Sequence, residues 1–209
     1  MVCVSGATRS GKSCLAKGLA DAARETLEFR RVAAPLDQDK YANRDLALRL
    51  AQEHGTNQRQ KKSRLTGFEY TDSIEHDALR AAVDDAAATH ELVIVEGFRA
   101  FHDAALVGRA DVMLWVEIDR ATCLHRRMAS KKLYDFDEAT STSAHFDEHL
   151  WPRHEDYRSQ TVGSTYADDA RLCMLDGTRA EREVCEQALA WVRSLIGTGT
   201  IPAIRARAT

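Results

Sequence analysis

Long hydrophobic runs are missing from this chain. No apolar stretch approaches the roughly 20 residues of a membrane-spanning helix, so no membrane partner is expected. A basic excess is missing too: 29 Lys and Arg against 32 Asp and Glu give a formal charge of -3 and a pI near 6.2. Without a cationic footprint for a phosphodiester backbone, nucleic acid is not an expected partner. Metal-type cysteine spacing is also absent. Cys3, Cys14, Cys123, Cys173 and Cys185 are scattered and odd in number, which fits the reduced thiols of a cytoplasmic protein. The first apolar run begins at Val2, so no leader peptide is expected ahead of it. The chain has no internal repeat and no sign of a second domain boundary. What it does have is 209 residues, 44% of them hydrophobic, enough for one α/β domain with a substantial core.

The most informative stretch is Gly6-Ala7-Thr8-Arg9-Ser10-Gly11-Lys12-Ser13. Glycine, four residues, then Gly-Lys-Ser is the P-loop pattern. Its surroundings agree. Val2-Cys3-Val4 predicts a short buried strand before it, and the apolar spacing from Lys12 to about Leu27 predicts a helix after it. A loop so placed turns backbone N–H groups onto a polyphosphate, and the helix N-terminus adds its positive dipole end. Gly6 and Gly11 permit backbone angles and close approach that a side chain forbids. Lys12 is expected to reach the β- and γ-phosphates of a nucleoside triphosphate, and the Ser13 hydroxyl to ligate Mg²⁺. Cys14, just past the loop, is open to a thiol reagent, but nothing marks it as catalytic.

A second strand is predicted over 29–34, ending near Pro35, with Asp37 and Asp39 just beyond it. Open α/β sheets bind ligands at that end of a strand. Phosphoryl transfer to a hydroxyl needs a carboxylate beside the acceptor, and either acid could serve; an acidic turn on its own is more often simply solvated. Residues 42–66 are polar and charged and read as an insertion with a solvated face. A helix is expected from Asp72 to about Ala88, with Ile74, Ala78, Leu79, Ala82 and Val83 as its apolar stripe. Tyr70 and Asp72 stand at its start, where Asp72 is also a natural N-cap.

Leu92 to Gly97 predicts a strand buried on both faces of a parallel sheet. It ends in Glu96, which in a P-loop protein lies beside Ser13 and supports Mg²⁺. Val112 to Ile118 is the next strand, followed by a helix capped by Asp119 that carries His125, Arg126 and Arg127, then Lys131 and Lys132. A lid is expected over about 125–145, where arginines can neutralise charge that develops during transfer. A helix over 143–160 is broken at Trp151-Pro152, because proline cannot donate the intrahelical bond. Leu172 to Leu175 forms the last strand, ending at Asp176-Gly177-Thr178, and 181–196 the last helix. The order of elements predicts a three-layer α/β/α sandwich around a five-stranded parallel sheet. Residues 1–196 would form the single domain and 197–209 a flexible tail.

Several of these motifs coincide with one family. Gln38-Asp39-Lys40-Tyr41, Ile94-Val95-Glu96-Gly97-Phe98, Cys123 to Arg127, Phe146-Asp147-Glu148-His149-Leu150-Trp151-Pro152 with Tyr157-Arg158, and Leu175-Asp176-Gly177-Thr178 occur in the right order around the P-loop. So arranged, the chain resembles the nicotinamide riboside kinases, a branch of the uridine kinase-like P-loop kinases, from Val2 to about Ile196. The resemblance implies ATP-dependent phosphorylation of the ribosyl 5′-hydroxyl of nicotinamide riboside, a step of NAD biosynthesis by salvage, with Mg²⁺ accompanying ATP. It implies that Gly6, Ala7, Thr8, Arg9, Ser10, Gly11, Lys12, Ser13 and Cys14 bind ATP together with Arg127, Asp176, Gly177 and Thr178. Asp39 would be the base, and Ser13, Asp39 and Glu96 the metal-supporting set. Arg126 would act with Lys12 in catalysis and also touch the substrate. Tyr41, Tyr70, Thr71 and Asp72 would contact the nucleoside, Asp72 through the ribose hydroxyls. The family has an aromatic residue where this chain has Thr71, with Tyr70 one position earlier. A uridine or cytidine kinase is the nearest alternative, and a nucleotide-dependent switch without a small-molecule acceptor is the alternative from another class.

Overall fold

The computed structural model describes residues 1–26, 29–43, 45, 73–130 and 143–197. Five short apolar runs build its centre: β1 (Val2–Gly6), β2 (Leu36–Asp37), β3 (Ile94–Gly97), β4 (Val112–Glu117) and β5 (Leu172–Asp176). They form one sheet in the order β2-β3-β1-β4-β5, and each neighbouring pair is parallel. The α-helices of four or more residues among the described residues are α1 (Lys12–Thr26), α2 (His76–Thr89), α3 (Ala104–Val107), α4 (Arg120–Met128), α5 (Trp151–Gln160) and α6 (Glu181–Gly197). The expected α/β architecture, helices on both sides of a five-stranded parallel sheet, is the one observed.

Successive strand residues point to opposite faces, and both faces here are covered. Val2 and Val4, Ile94, and Val112, Leu114 and Val116 pack with α1 and α6. Cys3, Val93 and Val95, and Met113 and Trp115 pack with α2, α3 and α5. Double coverage is why these strands read as unbroken apolar runs. The two sides differ in kind. Under α1 and α6 the packing is aliphatic, with Leu15, Leu19, Val184 and Leu189. On the other side Phe101, Trp115 and Tyr157 are fully buried. The Tyr157 hydroxyl accepts the Phe101 N–H at 2.8 Å and lies 3.3 Å from the Ser5 hydroxyl.

Three local expectations change. The predicted strand over 29–34 is reduced to a bridge between Val32 and Leu92, and the strand itself is Leu36–Asp37. Val32 pairs with Leu92 and Leu36 with Val95, so this side carries one extra residue, and Pro35 within the gap has no N–H to give a ladder. Helix α2 begins at His76 rather than Asp72. Ile74, assigned to its apolar stripe, instead forms an antiparallel bridge with Ala42. The break expected at Trp151-Pro152 does not occur: the chain stays helical from 143 to 160, and Pro152 is accommodated by a π-helical turn, Phe146–Leu150, with the Trp151 N–H bonded to the Phe146 carbonyl. Residues 131–142 of the expected lid, most of the 42–66 insertion and the tail from 198 lie outside the described residues. No helix among the described residues is long and apolar enough to cross a membrane.

Candidate active site

At the end of β1 the backbone turns through Gly6 (φ 146°), Arg9 (φ 58°) and Gly11 (φ 102°). A Cβ at Gly6 would lie 2.4 Å from the Val116 carbonyl oxygen, so the close approach of β4 excludes any side chain there. Arg9 holds a left-handed conformation that costs a non-glycine residue about 1–2 kcal/mol, a kind of strain that concentrates at ligand sites. Left-handed residues at these points turn N–H groups toward one concave side, an anion cradle at the start of α1. The Ser10 hydroxyl is buried there without a hydrogen-bond partner among the described residues. An anionic oxygen in the cradle would satisfy it.

The cradle opens into a cavity of about 940 Å³. Its wall carries Asp37, Asp39 and Glu96 on one side, and Arg9, Arg126, Arg127 and Arg179 elsewhere. Lys12 is buried, and its ammonium donates to the Ala7 carbonyl at 2.7 Å. Burial lowers its pKa, against the pull of Glu96 and Asp39. Glu96, next to the end of β3, is buried; burial raises its pKa, while the neighbouring Ser13 hydroxyl and the Lys12 charge work the other way. The first strand, the first helix and the end of β3 thus bring Lys12, Ser13 and Glu96 together.

The acids after β2 divide their tasks. Asp37 sits in register beside Glu96 and accepts the Asp39 N–H at 3.0 Å, capping the 3₁₀ turn Gln38–Tyr41. Asp39 projects from that turn. It keeps solvent contact although most of its surroundings are protein, and burial, then the Asp37 charge, raises its pKa while Lys12 opposes both.

On the far side, the loop after β5 presses on the P-loop. The Gly177 N–H donates to the Glu117 carbonyl at 2.7 Å, and Arg126 donates to the Gly177 carbonyl at 2.8 Å. A Cβ at Gly177 would come within 2.9 Å of the Ser10 carbonyl. Thr178 closes onto the Asp176 carboxylate through its N–H at 3.0 Å and its hydroxyl at 2.5 Å, holding that carboxyl below the usual range.

Of the residues expected in the site, Thr8 to Cys14, Asp39, Glu96, Arg126, Arg127 and Gly177 line the cavity. Gly6 and Ala7 form the loop's base, and Asp176 and Thr178 turn upon each other beside it. Tyr41 is not on the wall: its ring packs toward the Leu79 and Trp115 face, and its carbonyl accepts the Glu75 N–H at 2.8 Å. Tyr70, Thr71 and Asp72 lie outside the described residues, as do Lys131 and Lys132. Phe98, Ile74, Ala42 and Arg179 line the cavity without having been expected there. Phe98 closes the Ile94 to Phe98 motif and Arg179 directly follows Thr178, a signal that could have found them. Ala42 and Ile74 are joined by a bridge between distant segments, which no local pattern encodes.

All five cysteines are free, and the Cys123 thiol donates to the Thr8 carbonyl at 3.0 Å. Among the described residues, no group of three or more His, Cys, Asp or Glu side chains could hold a metal ion by itself. The oxygen set of Ser13, Glu96 and Asp39 nevertheless suits Mg²⁺, which takes one or two protein ligands and completes its shell with phosphate oxygens and water.

The architecture recurs in solved structures. A gluconokinase from Sinorhizobium meliloti 1021 superposes with a TM-score of 0.55 at 13% identity, over 94% of this chain and 93% of that one. A sugar kinase from Janibacter sp. HTCC2649 gives 0.52 at 14%, over 92% and 93%. A shikimate kinase from Bacteroides thetaiotaomicron gives 0.51 at 15%, over 94% and 97%. The chain shares its α/β fold with these three kinases. No family model matches the sequence, and no curated protein matches it either. At these identities the likeness is one of fold, so the chemistry of the cavity rests on its own side chains.

Proposed function

We propose that the protein is an ATP-dependent phosphotransferase acting on a hydroxyl of a small molecule. One observation carries the reading: Lys12, the Ser13–Glu96 pair and Asp39 face a single cavity at the end of the P-loop strand. A switch that only binds nucleotide has no use for an acid in the position of Asp39. In this reading residues 1–196 act as one kinase domain. Backbone N–H groups from Gly6 to Cys14 hold the phosphates, Lys12 leaves the Ala7 carbonyl for the β- and γ-oxygens, and Arg127 and the Asp176–Thr178 turn flank the nucleotide. Mg²⁺, held through Ser13 and Glu96 with Asp39 nearby, would neutralise phosphate charge. Asp39 orients the acceptor hydroxyl and takes its proton, and Arg126 stabilises charge spread over the transferring group.

The finer proposal is that the acceptor is the ribosyl 5′-hydroxyl of nicotinamide riboside, giving nicotinamide mononucleotide. Its support is the resemblance carried by the Trp151-Pro152 segment and by Glu96-Gly97-Phe98. Thr71 in place of an aromatic residue favours a second reading, a pyrimidine nucleoside kinase, because a pyridinium gains from an aromatic face. The structural neighbours add sugar and sugar-acid acceptors to the set worth trying.

A coupled ADP-release assay with Mg·ATP tests both levels. The panel is nicotinamide riboside, nicotinic acid riboside, uridine, cytidine, adenosine, gluconate and shikimate, with Asp39→Ala run in parallel. Turnover of nicotinamide riboside that is lost in the variant upholds the finer proposal. Preference for another acceptor keeps the kinase and replaces its substrate. Tight ATP binding with no turnover of any acceptor refutes the kinase reading.

A further inference from the structure

Gln38 lies on a surface turn between two acids, yet it is 1% exposed and among the largest fully buried side chains of the protein. Its Oε1 accepts the backbone N–H of Arg99 at 3.0 Å, tying the turn after β2 to the segment after β3. The side chain also lies flat on Gly97. A Cβ added there would meet Oε1 at 2.4 Å, the Gln38 Cβ at 2.5 Å and Cδ at 2.9 Å. Gly97 has no left-handed φ, so its lack of a side chain is a matter of space for Gln38. Outside this contact, the Arg99 guanidinium lies over the rings of Phe98 and Tyr157, 5.5 and 5.1 Å from their centroids.

This arrangement has a cost. Nε2 of Gln38 is buried without a partner among the described residues, and an unpaired buried donor costs about 1–3 kcal/mol. Methionine would fill a similar volume without that penalty but could not accept the Arg99 N–H as strongly. The amide oxygen is the part of the side chain with a task. The residues on either side of it are Asp37, in register with Glu96, and Asp39, on the cavity wall. Gln38 itself does not line the cavity.

We infer that Gln38 is a positioning residue: seated on Gly97 and bonded to Arg99, it clamps the Asp37–Asp39 turn to the end of β3 and so fixes Asp39 relative to Glu96 and Lys12. The inference rests on the proposed kinase reading and deepens it, because it names what holds the acceptor-side carboxylate in register with the phosphate side. It acts through Asp39 and not on substrate.

The test compares Gln38→Ala, Gln38→Met and Gln38→Glu with the unmodified protein. It reads kcat and KM for the acceptor, Mg·ATP affinity by calorimetry, melting temperature, and hydrogen exchange at the amides of Asp39 and Arg99. Misplacing a catalytic group by about 1 Å can cost 10²-fold, so Gln38→Ala should lower kcat by about 10- to 100-fold. Acceptor KM and Mg·ATP affinity should stay within about twofold, since ground-state binding is not what the clamp supplies. Glutamate keeps an oxygen where the Arg99 N–H needs one, so Gln38→Glu should retain more kcat than Gln38→Met. A Gln38→Ala protein with unchanged kcat overturns the inference. Parallel loss of kcat, Mg·ATP affinity and melting temperature overturns it as well, as does a Met variant as active as the Glu variant. If the unmodified protein turns over no acceptor, the kinase reading fails separately, and hydrogen exchange decides the clamp. Faster exchange at Asp39 and Arg99 alone upholds it, and unchanged exchange removes it.

Discussion

The two ends of the cavity are built from different materials. At the phosphate-loop end the working surface is backbone, shaped by Gly6, Arg9 and Gly11 and resting on the aliphatic packing of α1 and α6. At the acid end the surface is side chain. Asp37, Asp39 and Glu96 stand on a short turn and a strand tip, backed by the aromatic layer of Phe98, Trp115, His154 and Tyr157. A backbone site can be specified by spacing alone, because the loop's geometry travels with its sequence. A side-chain site depends on what lies behind it.

Substitutions at the two ends should therefore fail in different ways. The largest effects are expected in the chemistry. Asp39→Ala should lower kcat by about 10²–10⁴-fold, the usual contribution of a positioned general base, with Mg·ATP affinity retained in calorimetry. Lys12→Ala should lose about 10²-fold or more in kcat and weaken Mg·ATP binding in the same titration. Equal loss of nucleotide affinity in both variants would erase the distinction between the ends.

The aromatic layer behind the acid end offers a pH test. His154 is 2% exposed and stacks on Trp115 at 5.7 Å with an interplanar angle of 13°. Burial, with further lowering by Lys12, Arg158 and Arg99, brings its pKa from 6.5 down to about 4. The unfolded chain then binds the proton more readily than the folded one. Stability from this group is complete above pH 6.5 and falls as the pH drops toward 4, by about 3 kcal/mol in all. Urea unfolding across that window should show the decline, and His154→Phe should flatten it.

A smaller effect is expected at Tyr157, whose hydroxyl accepts the buried Phe101 N–H. Tyr157→Phe leaves that donor unpaired and should cost about 1–3 kcal/mol in urea titration. The smallest belongs to the exposed pair of Arg120 and Asp147, 2.5 Å apart at the start of α4. Arg120→Ala should change stability by less than about 1 kcal/mol, which sets the scale for contacts outside both ends.

The same contrast explains what could be read from sequence. The P-loop and the apolar strands β1, β3, β4 and β5 are local patterns, and each appears where its residues put it. The acid turn was legible as residues but not as geometry. Nothing within Leu36 to Tyr41 says that Gln38 is buried, because its partners, Gly97 and Arg99, come from the end of β3 and the segment after it. The same kind of distant contact moved the start of α2, where Ile74 leaves the helix stripe to bridge Ala42. It also turned Tyr41 toward the core and away from the cavity. Proline was the signal underused at β2. Pro35 interrupts the ladder, so the apolar residues before it reach the core without forming the strand.

That interruption bears on how the molecule meets its own copies. A sheet edge invites a second chain to add a strand, and very short edges with proline nearby withhold the template. The β2 edge offers two residues beyond Pro35. The opposite edge, β5, offers five and leaves Met174 40% exposed. Self-association through backbone pairing would therefore begin at β5, and a lysine in place of Met174 is the substitution that should most improve solubility under partly denaturing conditions.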